Sequence, residues 1–259
     1  AREHAATTFM VVHSAFAVLL GRLSNSSDIT IGTPTAGRGE QQLDDLVGMF
    51  VNTLVLRTRI DPNETFVELL QQAKDKDLAA FGHADVPFER LVDALGRARS
   101  SAYTPLFQAM LTFQNHVTGT FELPGLQVNA LPAGDDQAKF DLQLTAVETF
   151  DDTGALQDIE ATFTYATSIL DESSVATFAE RLLRILHTVV SDPDVVLRSI
   201  DILSEEEKAE FAPRTKPKTV DDLPELVAGA AAVAPDAVAL EHGTTQLTFS
   251  VFEDKLSQM

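Results

Sequence analysis

The chain has 259 residues, a formal net charge of -20, 44% hydrophobic residues and no cysteine. That length suits one large domain or two ordinary ones, and the apolar content supports a sizeable core. The acidity excludes a nucleic-acid binder and a protein drawn to anionic membranes, and points to a soluble, cytoplasmic protein; without cysteine there is no disulfide, thiolate nucleophile or cysteine metal site.

The first residue is Ala1, not Met, which predicts a fragment of a longer chain. Phe9, Val12, Phe16, Leu19 and Leu23 recur at helical spacing, with Thr7 or Thr8 available as a cap, and predict a core helix ending at 24–28. The apolar run 9–20 is too short to span a bilayer and lacks the flanks of a signal peptide. His13 in it reads as a core-edge histidine. Residues 29–31 predict a short strand broken at Gly32 and Pro34. A polar loop carrying Arg38, Asp44 and Asp45 leads past Gly48 to residues 50–56, which have the β-branched, apolar make-up of a buried strand. Asn52, beside Thr53, is the lone amide in it. Burying an amide is costly unless it is hydrogen-bonded, so two readings stand: Asn52 bonds nearby backbone, as most buried polar groups do, or it faces a substrate.

Phe66, Leu69, Leu70, Ala73, Leu78 and Phe81 predict an amphipathic helix ending near Gly82. Pro87 fits the first turn of another, with Leu91, Val92 and Leu95 on its apolar face. By residue type His83 and Asp85 are an acid–base candidate; the competing role is structural, capping the Pro87 helix and tying down its loop. Residues 106–114 predict a strand with Phe107, Ala109, Leu111 and Phe113 on one face, and 120–131 an irregular strand pair. A strand beginning at 139–142, a turn at 151–154 and a returning strand at 159–165 follow. Residues 171–190 form the longest helical pattern, and 204–207 a capping-box start. The prediction is an α/β fold with a mixed sheet and flanking helices. There is no GxGxxG, P-loop or GxSxG motif, and no metal-ligand spacing. The proline-rich, basic stretch 213–222 reads as a linker, and 226–234 as an alanine-rich helix.

Ile31, Gly32, Pro34, Ala36 and Arg38, followed by Gly48, Phe50, Val51, Asn52, Thr53, Leu54, Leu56 and Arg57, fall at the fixed places of the pattern IGxPxAxR and GxFVNTLxLR. In this the sequence resembles the condensation domains of non-ribosomal peptide synthetases. His83, Asp85, Pro87, Phe88 and Glu89 match the family's HxDxPFE segment, to which the resemblance gives a scaffold role. Gly32, Pro34, Arg38, Gly48, Asn52 and Thr53 become channel-lining or motif residues by the same resemblance. Residues 99–107 fall where the family has RDxSRxPLF; Arg99, Pro105, Leu106 and Phe107 match, while Ser100, Ala102 and Tyr103 replace Asp, Ser and Arg, leaving one fewer cation. Residues 139–142 match KFDL. Residues 235–240, PDAVAL, with 247–249 and Phe252, resemble the opening of an adenylation domain.

The resemblance implies a chloramphenicol-acetyltransferase-like lobe: 1–212 the C-terminal lobe of a condensation domain, 213–222 a linker, and 223–259 the truncated start of an adenylation domain. The family's catalytic motif, HHxxxDG, belongs to the other lobe. None of His4, His13, His83, His116, His187 and His242 begins it, so no catalytic residue and no metal ligand is assigned here. The implied reaction transfers a donor acyl or peptidyl thioester to the amine of an acceptor aminoacyl thioester. Both ride on phosphopantetheine arms of carrier domains, with no cofactor bound covalently to this chain. The implied partners are upstream and downstream peptidyl carrier domains, the lobe's own N-terminal half and the adenylation domain. A non-catalytic docking module for carriers or tailoring enzymes is the alternative, favoured by the altered 99–107 stretch. An epimerisation domain is a third, disfavoured by the adenylation-like segment.

Overall fold

The computed structural model describes residues 1–37, 41–43, 45–96, 104–114, 137–151, 153–211, 223–243 and 245–257. Arg38, Asp44, residues 99–103, the predicted strand pair at 120–131 and the predicted linker at 213–222 lie outside them. Two compact units are present, Ala1–Ile202 and Leu203–Met259.

The first unit is a five-stranded mixed sheet with helices packed on it. Helix α1 (Thr8–Ser24) starts where the Thr7 hydroxyl accepts from the Met10 N–H at 3.2 Å, and stops at Asn25, whose left-handed backbone (φ 52°) breaks the helical run. Of the predicted stripe Val12, Phe16 and Leu19 are buried and Phe9 and Leu23 partly so, and much of the rest of the helix is buried too: Ala15, Phe16, Ala17 and Leu19 have no exposed surface. Burying a side chain such as Phe16 or Leu19 stabilises by roughly 1.5–3 kcal/mol, which makes α1 the centre of the core. Helix α2 (Phe66–Phe81) begins with a complete capping box between Thr65 and Glu68. Its C-terminal Gly82 is right-handed (φ -63°), so the helix end does not use glycine's freedom.

Strands β1 (Asp28–Thr35), β2 (Asn52–Arg59), β3 (Ala109–Gln114), β4 (Leu142–Phe150) and β5 (Leu156–Tyr165) lie in the order β2-β1-β3-β4-β5. The β1–β2 and β4–β5 pairs are antiparallel; β1–β3 and β3–β4 are parallel. Two expectations are corrected. β1 runs through Gly32 and Pro34 instead of ending there. It pairs with β3 only at Ile31 and Gly32, so one edge is unpaired from Thr33 onward, and an edge tolerates a residue with no N–H to donate. β2 is not a strand buried on both faces. It begins at Asn52, lies at the sheet edge, and alternates buried Leu54, Leu56 and Thr58 with exposed Arg57 and Arg59.

The predicted 106–114 strand is also shortened. Leu106 has φ 72°, outside strand geometry, and β3 starts three residues later. Helix α3 (Phe88–Ala94) places Pro87 at the cap, one residue before the first turn. Helix α4 (Glu172–Ser191) is capped by Asp171, whose carboxylate accepts from the Ser174 N–H at 2.8 Å. Arg22 from α1 donates to the carbonyls of Leu197, Arg198 and Ile200, tying the end of this unit to its central helix. The mixed sheet with flanking helices is the chloramphenicol-acetyltransferase-like α/β fold expected.

The second unit holds α5 (Glu205–Phe211), α6 (Leu223–Val233), the antiparallel hairpin β6 (Val238–His242) and β7 (Thr245–Thr248), and α7 (Phe249–Ser257). The capping box expected at 204–207 forms: Ser204 and Glu207 bond reciprocally at 2.7 and 3.1 Å. Val227 and Ala231 of α6 are buried, while Leu226, Val233, Val238 and Leu240 remain exposed.

Candidate functional site

Three separated sequence segments meet beside β1. A Cβ built on Gly32 would lie 2.3 Å from the Phe107 ring, so only glycine leaves room for that ring on the face of β1 opposite Ile31. Phe107, itself buried, packs against Phe88 (centroids 5.7 Å apart, edge to face) and Phe140 (5.4 Å). The Thr30 hydroxyl donates to the Leu106 carbonyl at 2.7 Å, fixing the left-handed turn that presents Phe107. Farther along, Gly37 is left-handed (φ 64°), and a Cβ on it would fall 1.8 Å from the Phe50 carbonyl oxygen. The two ends of the β1–β2 loop cross there at backbone contact.

Asn52 opens β2 and reaches away from the ladder toward the 84–88 loop. Its amide nitrogen donates to the carbonyls of Ala84 (2.7 Å) and Val86 (2.8 Å). Its Oδ1 accepts from the N–H groups of Thr53 (2.9 Å) and Phe88 (3.1 Å). Both amide protons and both lone pairs are therefore engaged by main chain, and one bond caps α3 from a distant strand. The cap expected from His83 and Asp85 is supplied by Asn52 instead. Both side chains are exposed and make no hydrogen bond to another described residue. Asn52 and Thr53 line a groove of ≈ 460 Å³ with Gly37, Phe50, Asp85 and Glu89. Pro34, paired with Thr53 in the ladder, lines a different cleft. Gly32 is buried beneath Phe107, Gly48 is exposed on the loop, and Arg38 lies outside the described residues.

Arg57, the last residue of the 31–57 motif stretch, forms a two-pronged ion pair with Asp28 across the hairpin, with Nε 2.8 Å from Oδ1. The bonds from Arg57 hold the Asp28 carboxyl below its ordinary range, and Asp28 in turn raises Arg57. A second polar cluster lies in the core. His13 Nδ1 is 3.0 Å from Asp77 Oδ2, His13 Nε2 is 3.4 Å from the Thr58 hydroxyl, and all three residues are buried. Asp77 Oδ1 has no hydrogen-bond partner. With exposures of 1% and 0%, His13 and Asp77 are closed to any substrate, so the cluster joins α1, α2 and β2 and does no chemistry. The expected core-edge histidine is thus fully interior. Sequence reading passed over Asp77, although it falls four residues after Ala73 on the apolar face of α2.

The condensation-domain family profile matches residues 1–212. The chain belongs to the condensation-domain family. It is 37% identical over 265 residues to the dimodular nonribosomal peptide synthase of Bacillus subtilis (strain 168), covering 100% of this chain and 11% of that protein. Among solved structures, the X-domain from teicoplanin biosynthesis is 28% identical with a TM-score of 0.73, over 78% of this chain and 45% of that one. A four-domain nonribosomal peptide synthetase bound to AMP and glycine shares the fold at 22% identity, with a TM-score of 0.72, over 97% of this chain and 20% of that one. The chain spans 3% to 11% of the length of the curated relatives it matches. In condensation-domain terms, Gly32, Asn52, Phe88 and Phe107 come from three motif segments, and contacts among them gather those segments on one structure. No helix of the described residues is long and apolar enough to cross a membrane, and no group of three or more potential ligands among them could hold a metal ion.

Proposed function

We propose that this chain is the C-terminal lobe of a condensation domain, joined through 213–222 to the first residues of an adenylation domain, and that it walls the channel in which a peptide synthetase forms an amide bond. The observation that carries the reading is the meeting of the 31–57, 83–89 and 104–107 segments beside β1, through Asn52, Gly32, Phe88 and Phe107. Similarity to peptide synthases over the whole chain favours it over a docking module.

In the reaction, the acceptor amine attacks the donor thioester carbonyl. The new C–N bond forms, the C–S bond breaks, and the proton lost from nitrogen ends on the departing thiol. Donor and acceptor arrive on phosphopantetheine arms of upstream and downstream carrier domains. The histidine that handles the proton belongs to the N-terminal lobe, since HHxxxDG is not in this sequence. This lobe contributes position. Groove walls held by capping and aromatic packing keep two thioesters in attack geometry, an effect worth several orders of magnitude in rate. Acidity and lack of cysteine fit a cytoplasmic protein.

The test uses the intact synthase with loaded donor and acceptor carriers, following dipeptidyl-carrier by intact-protein mass spectrometry. Amide formation that depends on both carriers is the expected result. An intact synthase that binds carriers without joining their cargo would overturn the reading.

A further inference from the structure

A second cleft, of ≈ 730 Å³, opens at the end of the sheet where β1, β3 and β4 finish and α1 begins. Its floor is aromatic. Phe9 packs edge to face on Phe81 (5.9 Å) and on Phe113 (6.0 Å), and Phe81 and the neighbouring Leu78 keep 40% and 56% of their surface exposed. Two cationic or anionic side chains line it: Arg2, exposed at the chain start, and Glu148 on β4. Strand alternation places Glu148 on the same face as Leu142, Leu144 and Ala146, all buried, so a carboxylate takes the last position of an apolar row. Glu148 is half-buried and makes no hydrogen bond or ion pair with Arg2 or with any other described residue. A carboxylate beside apolar side chains is costly to desolvate unless a cation or donor meets it, and none of the described residues bonds to this one.

We propose that this cleft takes the acceptor aminoacyl group, with Glu148 as a positioning residue that receives the hydrogens of its amine, and the Phe9, Phe81 and Phe113 floor seating an apolar side chain. The proposal rests on the condensation reading above. An acceptor aminoacyl thioester suits the cleft because its carboxyl is esterified: it brings one positive or hydrogen-donating nitrogen and no anion, matching one free carboxylate over an apolar floor. A donor with an acylated amine carries no such charge.

The experiment compares the wild-type intact synthase with Glu148→Gln and Glu148→Asp, using leucyl and glycyl thioesters of N-acetylcysteamine as acceptors and a saturating loaded donor carrier. Glu148→Gln is expected to raise the leucyl acceptor KM by about tenfold, the loss of one charge-assisted contact, with donor KM and thermal midpoint unchanged. Glu148→Asp should recover part of the loss. Phe113→Leu should narrow the preference for leucyl over glycyl acceptor, independently of the carboxylate. If wild type forms amide while Glu148→Gln keeps its acceptor KM, or raises donor and acceptor KM alike, the inference falls and the condensation reading stands. If Glu148→Gln fails to fold, an unchanged leucyl preference in Phe113→Leu overturns the inference. If wild type forms no amide, both fall.

Discussion

Asn52 spends every hydrogen-bonding position of its amide on main chain, which gives two substitutions different costs. Asn52→Ala leaves the Ala84 and Val86 carbonyls and the Thr53 and Phe88 N–H groups to find other partners, and should destabilise by roughly 1–3 kcal/mol. Asn52→Asp keeps the shape but turns a carboxylate oxygen toward two carbonyls, and should cost more. Urea unfolding of both checks the order; an aspartate variant as stable as wild type would show that the amide is not oriented this way. In the intact synthase, a loss of amide formation per folded molecule beyond the loss of stability would add a channel role to the structural one. The interior pair makes a comparable statement. His13→Ala strands a buried carboxylate with neither oxygen bonded, so it should cost about 3–5 kcal/mol, and more than Asp77→Ala. The double variant should cost less than the sum of the singles, and additive unfolding energies would rule out the coupling.

Among the elements, the start of α4 contributes to the pH dependence. The Asp171 carboxyl is held below its ordinary range, chiefly by the Ser174 N–H and then by the Ser173 hydroxyl. Its folded value lies below its unfolded one. The stabilisation is therefore complete above the ordinary carboxylate range and lost as pH falls through the folded value. Asp171→Asn retains a capping oxygen but does not titrate, so the acid limb of thermal midpoint against pH should become shallower; an unchanged limb would contradict the assignment. Helices α1, α2 and α4 were readable because their buried positions repeat at helical spacing and their caps adjoin them in sequence. The strand ends were not. Whether Pro34 breaks β1 depends on β3 withdrawing from its edge, and β3 arrives some seventy residues later in the chain. The cap on α3 was hidden for the same reason: its acceptor, Asn52, comes from another element.

For the whole molecule, the chain by itself should form no peptide bond. Of the described histidines, His13 is interior, His4 is half-buried, and His83, His187 and His242 are exposed; none stands in an HHxxxDG context. On the proposed reading the chain is a half-channel open to water, which neither orients nor sequesters two thioesters. Purified chain mixed with loaded carriers should give no dipeptidyl-carrier, and adding the N-terminal lobe should restore it. Turnover by the chain alone near the reconstituted rate would mean the proton is handled here. The fold class and the family were legible from the motif spacing, which is local. The site was legible only in its members. That Gly32, Phe88 and Phe107 touch, that Gly37 must be glycine, and that Glu148 ends an apolar row all follow from strand order, which single-sequence patterns do not carry.

The narrow contact between β1 and β3 has a kinetic consequence. The β1–β2 and β4–β5 pairs are long antiparallel ladders between strands adjacent in the chain, whereas β1 meets β3 only at Ile31–Ala109 and Gly32–Met110, across a closure of nearly eighty residues. Such a seam joins late and parts early. The Phe107 ring over Gly32 and the Thr30 bond to Leu106 straddle it, so residues that mark the family in sequence also latch this seam within the one compact unit.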